Sequence, residues 1–418
     1  MSERIDALLD AARRALRQAR RLSPVDRRRG LRAIAEAIEG RADAILAANA
    51  EDVEASPDLS SALRDRLRLT PARIEGMARA VRNVAEQPDP LEEERDLGVG
   101  PSGIAVRKKR VPLGVVAVIY EARPNVTAEC SALTLASGNA IILRGGKEAC
   151  RSNEAIGEAV RAGLLQAELP PDLVTVLARS SREEVQALLG AVGRVDLVIP
   201  RGGDGLMSMV DQHARVPVIR HGQGICHVYV DAAADPQMAA DIALNAKVHR
   251  PGVCNSIETL LIHEELLAST LARLGPALTN AGVEIRADPS AKAVLQQNGV
   301  SAQPATDADW DTEFLSLVLA IRTVANFEQA VEHIDRHGTN HTAAIVSGDE
   351  AAAERFLTEV DASCVLWNAS TRFNDGGELG LGAEMGISTT RMHAYGPMSA
   401  REMTAEKIVV RGRGQVRA

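Results

Sequence analysis

Residues 114–147 read GVVAVIYEARPNVTAECSALTLASGNAIILRGGK, and this stretch decides the fold. The apolar run at 115–120 predicts a buried strand, 126–136 has the length and apolar spacing of a helix, and 140–143 predicts a second strand. Fully apolar strands that alternate with helices are typical of parallel sheets covered on both faces. The stretch therefore predicts an α/β fold.

The same alternation extends along most of the chain. It continues to residue 213, and a second strand–helix series begins near residue 227 and passes residue 360. Short basic runs at 104–111 and 407–410 predict peripheral strands. We therefore expect more than one α/β domain and a small ribbon.

The composition is that of a large globular protein and excludes nucleic acid as a partner. With 418 residues, of which 45% are hydrophobic, the chain is long enough for two or three domains. Aromatic residues make up only 2% and the net charge is -8. Nucleic-acid binders instead use basic surfaces and aromatic platforms.

The cysteines predict a reduced, cytoplasmic protein without a metal site. They are odd in number, widely spaced, and contain no Cys-x-x-Cys pair, so neither disulfides nor zinc are expected. No signal-peptide pattern and no membrane-spanning apolar run are present, and we expect no membrane partner. The five are Cys130, Cys150, Cys226, Cys254 and Cys364.

Cys254 lies in the run VHRPGVCN, residues 248–255, between a helix-like and a strand-like segment. A thiol in such a loop is well placed to act as a nucleophile. A free cysteine also commonly fills a loop as a small apolar residue. The neighbouring His249 and Arg250 can bind an anion beside the thiol or interact with the end of the helix.

The run IPRGG, residues 199–203, follows an apolar strand and precedes a helix-like segment. Backbone amides of Gly202 and Gly203 at a helix N-terminus can bind phosphate, and Arg201 adds a cation. The alternative is an ordinary strand–helix loop.

The run LRGGK, residues 143–147, ends another apolar strand. Open α/β sheets bind ligands at this carboxyl edge. Arg144 and Lys147 suit a ribose or a phosphate, although they can also be solvated surface charges.

Arg123 and Asn125 lie between the first strand and its helix, where both can donate hydrogen bonds to an anion or oxyanion. Asn125 is equally suited to be the N-cap of the helix. Ser370, Thr371 and Arg372 lie in the late run WNASTRF and have small or polar side chains that suit a carboxylate or phosphate, although such loops usually have no special role.

Five segments resemble the aldehyde dehydrogenase superfamily and, within it, the γ-glutamyl phosphate reductase family. The resemblance implies an aldehyde dehydrogenase-like fold with a Rossmann-like cofactor domain, an α/β catalytic domain and a small β-ribbon for oligomerisation. Their order and spacing fit over essentially all of the chain. The segments are 111–127, 138–147, 196–203, 224–231 and the Cys254 run.

The resemblance also implies domain boundaries. The cofactor domain is expected at 1–224, with the oligomerisation ribbon at 98–112, and the catalytic domain at 225–361. The chain is expected to return to the cofactor domain and the active-site loops at 362–403, and to end in an oligomerisation strand at 404–418.

By position, the resemblance assigns cofactor contacts. Arg144 falls where the superfamily has a lysine that contacts the adenosine ribose, and Gly202 falls on the glycine beside the nicotinamide. Glu313 falls on the glutamate that holds the nicotinamide ribose. The implied cofactor is NADPH, with Lys147 as the expected contact of its 2′-phosphate.

Two positions depart from the superfamily pattern. Hydrolytic members carry a general-base glutamate where this chain has HGQG, residues 221–224. An enzyme that transfers an acyl group between sulfur and phosphate needs no such base to activate water. The oxyanion asparagine of the superfamily aligns nearer Arg123 than Asn125, so both remain candidates.

The implied reaction is the NADPH-dependent reduction of L-glutamyl 5-phosphate to L-glutamate 5-semialdehyde through a Cys254 thioester, the second step of proline biosynthesis from glutamate. A homo-oligomer and channelling with glutamate 5-kinase are implied as well. The alternatives are a CoA-acylating aldehyde dehydrogenase and a non-catalytic binding protein on the same fold. The expected substrate contacts are His249, Arg250, Ser370, Thr371 and Arg372.

Overall fold

The computed structural model describes residues 3–220 and 222–417. They form two compact units. The first contains the described residues up to 220, Gly380–Gly386 and 392–417. The second contains 222–379 and Ile387–Arg391.

The helices begin mainly at polar residues that accept a hydrogen bond from the first turn, as Ser23, Asp235 and Asn326 do. No helix of the described residues is both long enough and apolar enough to cross a membrane. The α-helices are α1 (Glu3–Ala19), α2 (Pro24–Gly40), α3 (Ala42–Glu54), α4 (Ser61–Leu67), α5 (Pro71–Glu86), α6 (Asn125–Ala136), α7 (Cys150–Gln166), α8 (Arg182–Leu189), α9 (Asp204–His213), α10 (Pro236–Val248), α11 (Leu267–Asn280), α12 (Pro289–Gln297), α13 (Asp307–Trp310), α14 (Phe327–His337) and α15 (Glu350–Glu359).

The strands are mostly short and buried. They are β1 (Glu94–Val99), β2 (Ala105–Pro112), β3 (Val115–Tyr120), β4 (Ala140–Arg144), β5 (Val174–Val176), β6 (Leu197–Arg201), β7 (Cys226–Val230), β8 (Ile257–His263), β9 (Glu284–Ala287), β10 (Gln303–Pro304), β11 (Val318–Val324), β12 (Thr342–Val346), β13 (Cys364–Trp367), β14 (Ile387–Ser388), β15 (Gly396–Pro397) and β16 (Thr404–Arg411).

The core of the first unit is a parallel four-stranded sheet in the order β5-β4-β3-β6. All six residues of β3 are buried, as expected for an apolar strand that is covered on both faces. Helix α6 begins one residue before its predicted start and ends at Ala136 as predicted. The α/β prediction from residues 114–147 is therefore confirmed.

The first unit also carries an antiparallel ribbon of three strands, β1-β2-β16. The predicted basic runs at 104–111 and 407–410 are its strands β2 and β16. Their charges are partly paired, since Lys108 Nζ lies 3.0 Å from Glu406 Oε2. The ribbon is thus a formed element, whereas its role in oligomerisation stays a prediction.

The second unit contains a parallel sheet in the order β10-β9-β11-β8-β7-β12-β13. Successive residues of a strand point to opposite faces. Val228 and Val230 of β7 therefore pack in one core with α10, α11 and α12, whereas Tyr229 packs in another with α14 and α15. This sheet is covered by helices on both faces.

The described residues up to Arg220 belong to the first unit, and the second unit continues to residue 379. Strand β13 pairs in parallel with β12, Thr342 opposite Cys364, and this pairing holds 362–379 in the second unit. The segment 380–391 is then divided between the units. The roles expected for the domains, cofactor binding and catalysis, stay predictions.

Candidate active site

Cys254 lies at the amino end of β8, in the loop that follows α10. The helix ends at Val248, and Pro251 and Gly252 stand in the turn that precedes the cysteine. Proline cannot continue a helix, so this turn directs the chain towards the strand. The predicted helix–loop–strand position of the thiol is the one found.

Cys254 is the exposed cysteine among the five in this chain, all of which lie in the described residues. Cys130 and Cys226 are buried, and burial raises the pKa of Cys130 to about 12. Burial also raises the pKa of Cys364 to about 11. A thiolate is the reactive form of cysteine, so Cys254 is the best-placed nucleophile.

The backbone of Cys254 is fixed by the start of β7. The Sγ of Cys226 donates a hydrogen bond to the Cys254 carbonyl oxygen at 3.0 Å. Gly224 packs so closely against this carbonyl group that a Cβ atom at position 224 would lie 2.0 Å from its oxygen. The nucleophile loop therefore depends on a glycine that is 30 positions away in the chain.

The loop that contains Ser370, Thr371 and Arg372 is tied to the residue after the nucleophile. Thr371 Oγ1 donates to the Asn255 carbonyl oxygen at 2.8 Å, and Asn255 Nδ2 donates to the Asn374 carbonyl oxygen at 2.8 Å. Ser370 is buried and its hydroxyl accepts from the Arg372 amide at 3.3 Å. Ser370 and Thr371 thus shape the loop through contacts within the protein.

Basic side chains meet beside the thiol. Arg372 Nε donates to His249 Nδ1 at 3.4 Å, and both His249 and Arg250 are exposed. Burial lowers the pKa of Arg372; the charge of Asp375 opposes this effect, Arg250 adds to it, and Cys254 also opposes it. Arg372 follows Thr371, whose hydroxyl donates to the carbonyl oxygen of the residue after Cys254, so the cluster can bind the phosphate of an acyl phosphate.

Glu313 is linked to the nucleophile loop through Gly224. Its Oε1 accepts a hydrogen bond from the Gly224 amide at 2.9 Å, and Gly224 contacts the Cys254 carbonyl group. The structure thus brings two predicted site residues, Cys254 and Glu313, to the same glycine. The assignment of Glu313 to a ribose stays a prediction.

In the first unit, Asn125 is the first residue of α6, and the N-cap position is held by Pro124. The expectation that Asn125 caps the helix is therefore wrong. Its Nδ2 instead donates to Glu129 Oε1 at 3.1 Å, one helical turn further on. Arg123 lies just before the helix and is half-buried. Both residues stay candidates for the oxyanion contact.

The glycine loop between β6 and α9 is closed by a carboxylate. Glu121 Oε1 accepts from the Gly203 amide at 2.8 Å, and a Cβ atom at Gly202 would lie 2.7 Å from the same oxygen. The helix N-terminus therefore already binds an anionic oxygen. Arg201 donates to the Met385 carbonyl oxygen, which gives it a structural contact that sequence patterns did not predict.

Arg144 and Lys147 stand at the carboxyl end of β4, as predicted. Arg144 Nε donates to Ser180 Oγ at 3.1 Å. Lys147 is exposed at the start of a short 3-10 turn, Lys147–Ala149, and forms no ion pair with residues 3–220 or 222–417. Lys147 is thus available to a ligand phosphate.

The sequence profile of the aldehyde dehydrogenase family matches residues 1–298. The chain belongs to the aldehyde dehydrogenase family. The family resemblance found in the sequence is confirmed, and it accounts for an exposed cysteine at the amino end of a strand.

Similar proteins within the family include gamma-glutamyl phosphate reductases. The chain is 50% identical over 417 residues to the gamma-glutamyl phosphate reductase of Symbiobacterium thermophilum, which covers 97% of this chain and 98% of that protein. The crystal structure of the gamma-glutamyl phosphate reductase of Thermotoga maritima superposes with a TM-score of 0.93 at 40% identity, covering 99% and 100% of the two chains. An acetylating aldehyde dehydrogenase from Geobacillus thermoglucosidasius has a TM-score of 0.74 at 15% identity, covers 100% and 98%, and shares the fold.

This family member lacks a carboxylate in the run 221–224. His221 lies outside the described residues. The amides of Gly222 and Gly224 donate to Thr389 Oγ1 at 3.0 Å and to Glu313 Oε1 at 2.9 Å. The run therefore serves as a source of backbone donors in this aldehyde dehydrogenase.

Sequence patterns missed three charged residues around these loops: Glu121, Lys247 and Glu258. Lys247 and Glu258 form a fully buried ion pair next to the nucleophile loop, with Nζ 2.6 Å from Oε2. The available signal was one acidic residue, Glu258, in the mostly apolar strand β8, because an unpaired charge is rarely buried.

Proposed function

We propose that this protein reduces L-glutamyl 5-phosphate to L-glutamate 5-semialdehyde and phosphate with NADPH, the second step of proline biosynthesis from glutamate. The observation that carries the proposal is the single exposed thiol, Cys254, next to the loop of Arg372, which Thr371 ties to Asn255. The 50% identity to a gamma-glutamyl phosphate reductase supports the same function.

The first chemical step needs only groups of this chain. The Cys254 thiolate attacks the acyl carbon, a C–S bond forms, and the C–O bond to phosphate breaks. Arg372, His249 and Arg250 bind the phosphate and stabilise its negative charge as it leaves. The lack of a carboxylate at 222–224 disfavours activation of water, which would otherwise hydrolyse the thioester.

The first unit has features that fit a dinucleotide phosphate. Gly202 and Gly203 carry no side chains at the start of α9, and a ligand phosphate would take the place of the Glu121 carboxylate at the Gly203 amide. Arg144 would contact the adenosine ribose, Lys147 the 2′-phosphate, and Glu313 the nicotinamide ribose. When bound, NADPH supplies the hydride that converts the thioester to the aldehyde and frees the thiol. The preference for NADPH over NADH is part of this proposal.

The proposed partners follow from the same chemistry. An acyl phosphate is reactive towards water, so direct transfer from glutamate 5-kinase would protect it. The ribbon β1-β2-β16 offers an edge strand for a homo-oligomer. All five cysteines are free thiols, which supports the cytoplasm as the compartment.

The test is the reverse reaction, in which NADP reduction is followed with glutamate semialdehyde. We expect the rate to require inorganic phosphate and to be unaffected by CoA. A rate that requires CoA would favour the CoA-acylating alternative. No activity with either, together with no alkylation of Cys254 by iodoacetamide, would favour a binding protein.

A further inference from the structure

A lysine and a glutamate are paired inside the second unit, next to the nucleophile loop. Lys247 Nζ lies 2.6 Å from Glu258 Oε2, and both side chains are fully buried. Lys247 Nζ also donates to the Ile257 carbonyl oxygen at 2.8 Å. The ammonium group thus contacts β8 twice.

The pair joins the two ends of the loop that carries Cys254. Lys247 is in the last turn of α10, and Glu258 is the second residue of β8. Ser256 Oγ donates to the Ala246 carbonyl oxygen at 3.2 Å, parallel to the pair. The separation of the two loop ends is therefore fixed by side-chain contacts as well as by the chain itself.

The second carboxylate oxygen of Glu258 reaches the segment that carries Glu313. Glu258 Oε1 accepts from the Leu315 amide at 3.2 Å. Leu315 has a φ of 51°, a backbone conformation that is unfavourable for leucine and needs support from its surroundings. The contact supplies such support two residues after Glu313.

These contacts form a closed circuit. Glu313 accepts from the Gly224 amide at 2.9 Å, and Gly224 packs on the Cys254 carbonyl group. Glu258 follows Cys254 by four residues in the chain. Its Oε1 accepts from the Leu315 amide, and Leu315 is two residues after Glu313. One carboxylate thus connects the nucleophile loop with the segment of Glu313.

We propose that Lys247 and Glu258 are positioning residues that hold Cys254 and Glu313 at a fixed separation. This inference rests on the proposed function, in which Cys254 attacks the substrate and Glu313 holds the nicotinamide ribose. Neither side chain is exposed, so the pair acts through the loops it supports and contacts no substrate.

The cost of burying the two charges of Lys247 and Glu258 favours a positioning role over a role in stabilising the fold. Burial raises the pKa of Glu258 to about 7 and lowers the pKa of Lys247, while each partner's charge opposes the effect on the other. Replacing such a pair by apolar residues of similar volume is often neutral for stability. Stability therefore does not account for this pair, whereas its contacts with both ends of the loop are those of a positioning role.

The test uses two variants in the full chain. Lys247→Met/Glu258→Leu removes both charges and the hydrogen bond to Leu315. We expect it to remain folded, with a kcat lowered by at least about tenfold and a KM for NADPH raised severalfold. Glu258→Gln keeps an acceptor for the Leu315 amide and is expected to stay within about threefold of the wild-type values.

The matched control is a buried ion pair of the first unit, Arg27 and Asp89, that the mechanism does not use. Arg27→Met/Asp89→Leu is expected to change the thermal midpoint and leave kcat and KM unchanged. A folded Lys247→Met/Glu258→Leu variant with wild-type kcat and KM would overturn the inference. If that variant does not fold, Lys247→Met, which breaks the pair and keeps Glu258 as the acceptor for the Leu315 amide, is measured instead, and wild-type kcat and KM in this folded variant would overturn the inference. Lack of phosphate-dependent activity in the wild type would refute the proposed function, which is a separate outcome.

Discussion

Gly224 lies against the main-chain carbonyl group of Cys254, and a Cβ atom at position 224 would stand 2.0 Å from that oxygen. No side chain fits at this distance, so Gly224→Ala must displace the nucleophile loop. We expect a loss of about 1–3 kcal/mol in the free energy of unfolding. We also expect a kcat at least about tenfold lower, because small displacements of a reacting group are costly.

The control for this prediction is Gly40→Ala at the end of α2, where a Cβ atom meets nothing within 4 Å. Chemical denaturation and steady-state kinetics of both variants provide the comparison. Equal kinetics for Gly224→Ala and the wild type would show that the loop tolerates the displacement.

Cys254→Ser should remove reduction and retain NADPH binding. A serine hydroxyl is a far weaker nucleophile than a thiolate, so turnover should fall by about a thousandfold or more. A fluorescence titration with NADPH checks binding. Cys364→Ser, in the same unit, changes a half-buried thiol and should keep normal turnover. Substantial turnover by Cys254→Ser would contradict the thioester scheme.

Lys147→Ala should weaken the binding of NADPH and leave the binding of NADH unaffected. An exposed ammonium that binds a 2′-phosphate contributes a charge-assisted hydrogen bond, so the KM for NADPH should rise about tenfold. Arg144→Ala, at the end of β4, should weaken the binding of both cofactors because both contain the adenosine ribose. Unchanged KM values for both cofactors in Lys147→Ala would remove this residue from the proposed site.

Protonation of His227 should lower the free energy of unfolding in mild acid. Its Nδ1 donates to the Ile225 carbonyl oxygen at 3.0 Å, and burial lowers the pKa of His227 from 6.5 to about 4. The unfolded chain then binds more protons than the folded one, so stability present above pH 6.5 is lost as the pH falls towards 4. Between pH 7 and 5 the contribution is roughly 2 kcal/mol.

Urea denaturation of the wild type and His227→Asn at these two pH values measures the difference. The variant should lose less stability than the wild type. His333, whose pKa burial lowers to about 2, contributes with the same sign and is retained in the variant. An equal loss in both proteins would mean that His227 does not titrate as proposed.

Ile408→Lys should reduce the molar mass of the proposed homo-oligomer. Ile408 and Val410 are 63% and 51% exposed on the same face of the edge strand β16. A lysine on an edge strand opposes pairing with another chain. Light scattering gives the molar mass, and Ala405→Lys, on the opposite face of the strand, is the control. An unchanged mass for Ile408→Lys would exclude this face from the interface.

Local patterns predicted the elements of the fold well. The alternation of apolar strands and helices predicted the parallel sheets, and the Pro-Gly break predicted the loop of Cys254. Such features depend on neighbours in sequence, which the sequence contains in full. The capping role of Asn125 failed because the helix starts one residue earlier than the apolar pattern indicates.

Contacts over long sequence distances were not predictable. Nothing in the run that contains Arg201 indicates the Met385 carbonyl oxygen, which is 184 positions away. No residue pattern indicates that β13 pairs with β12 either, because this pairing depends on which strand edge is free. Sequence spacing alone does not specify such partners.

The sequence by itself determined the α/β layers, the loop that carries Cys254 and the glycine loops with their cations. Only the tertiary structure decided that Gly224 contacts Cys254 and Glu313 together, and that Lys247 pairs with Glu258. The physical reason is that periodicity reports whether a side chain is buried, whereas the partner of a buried polar group is set by the packing of separate elements.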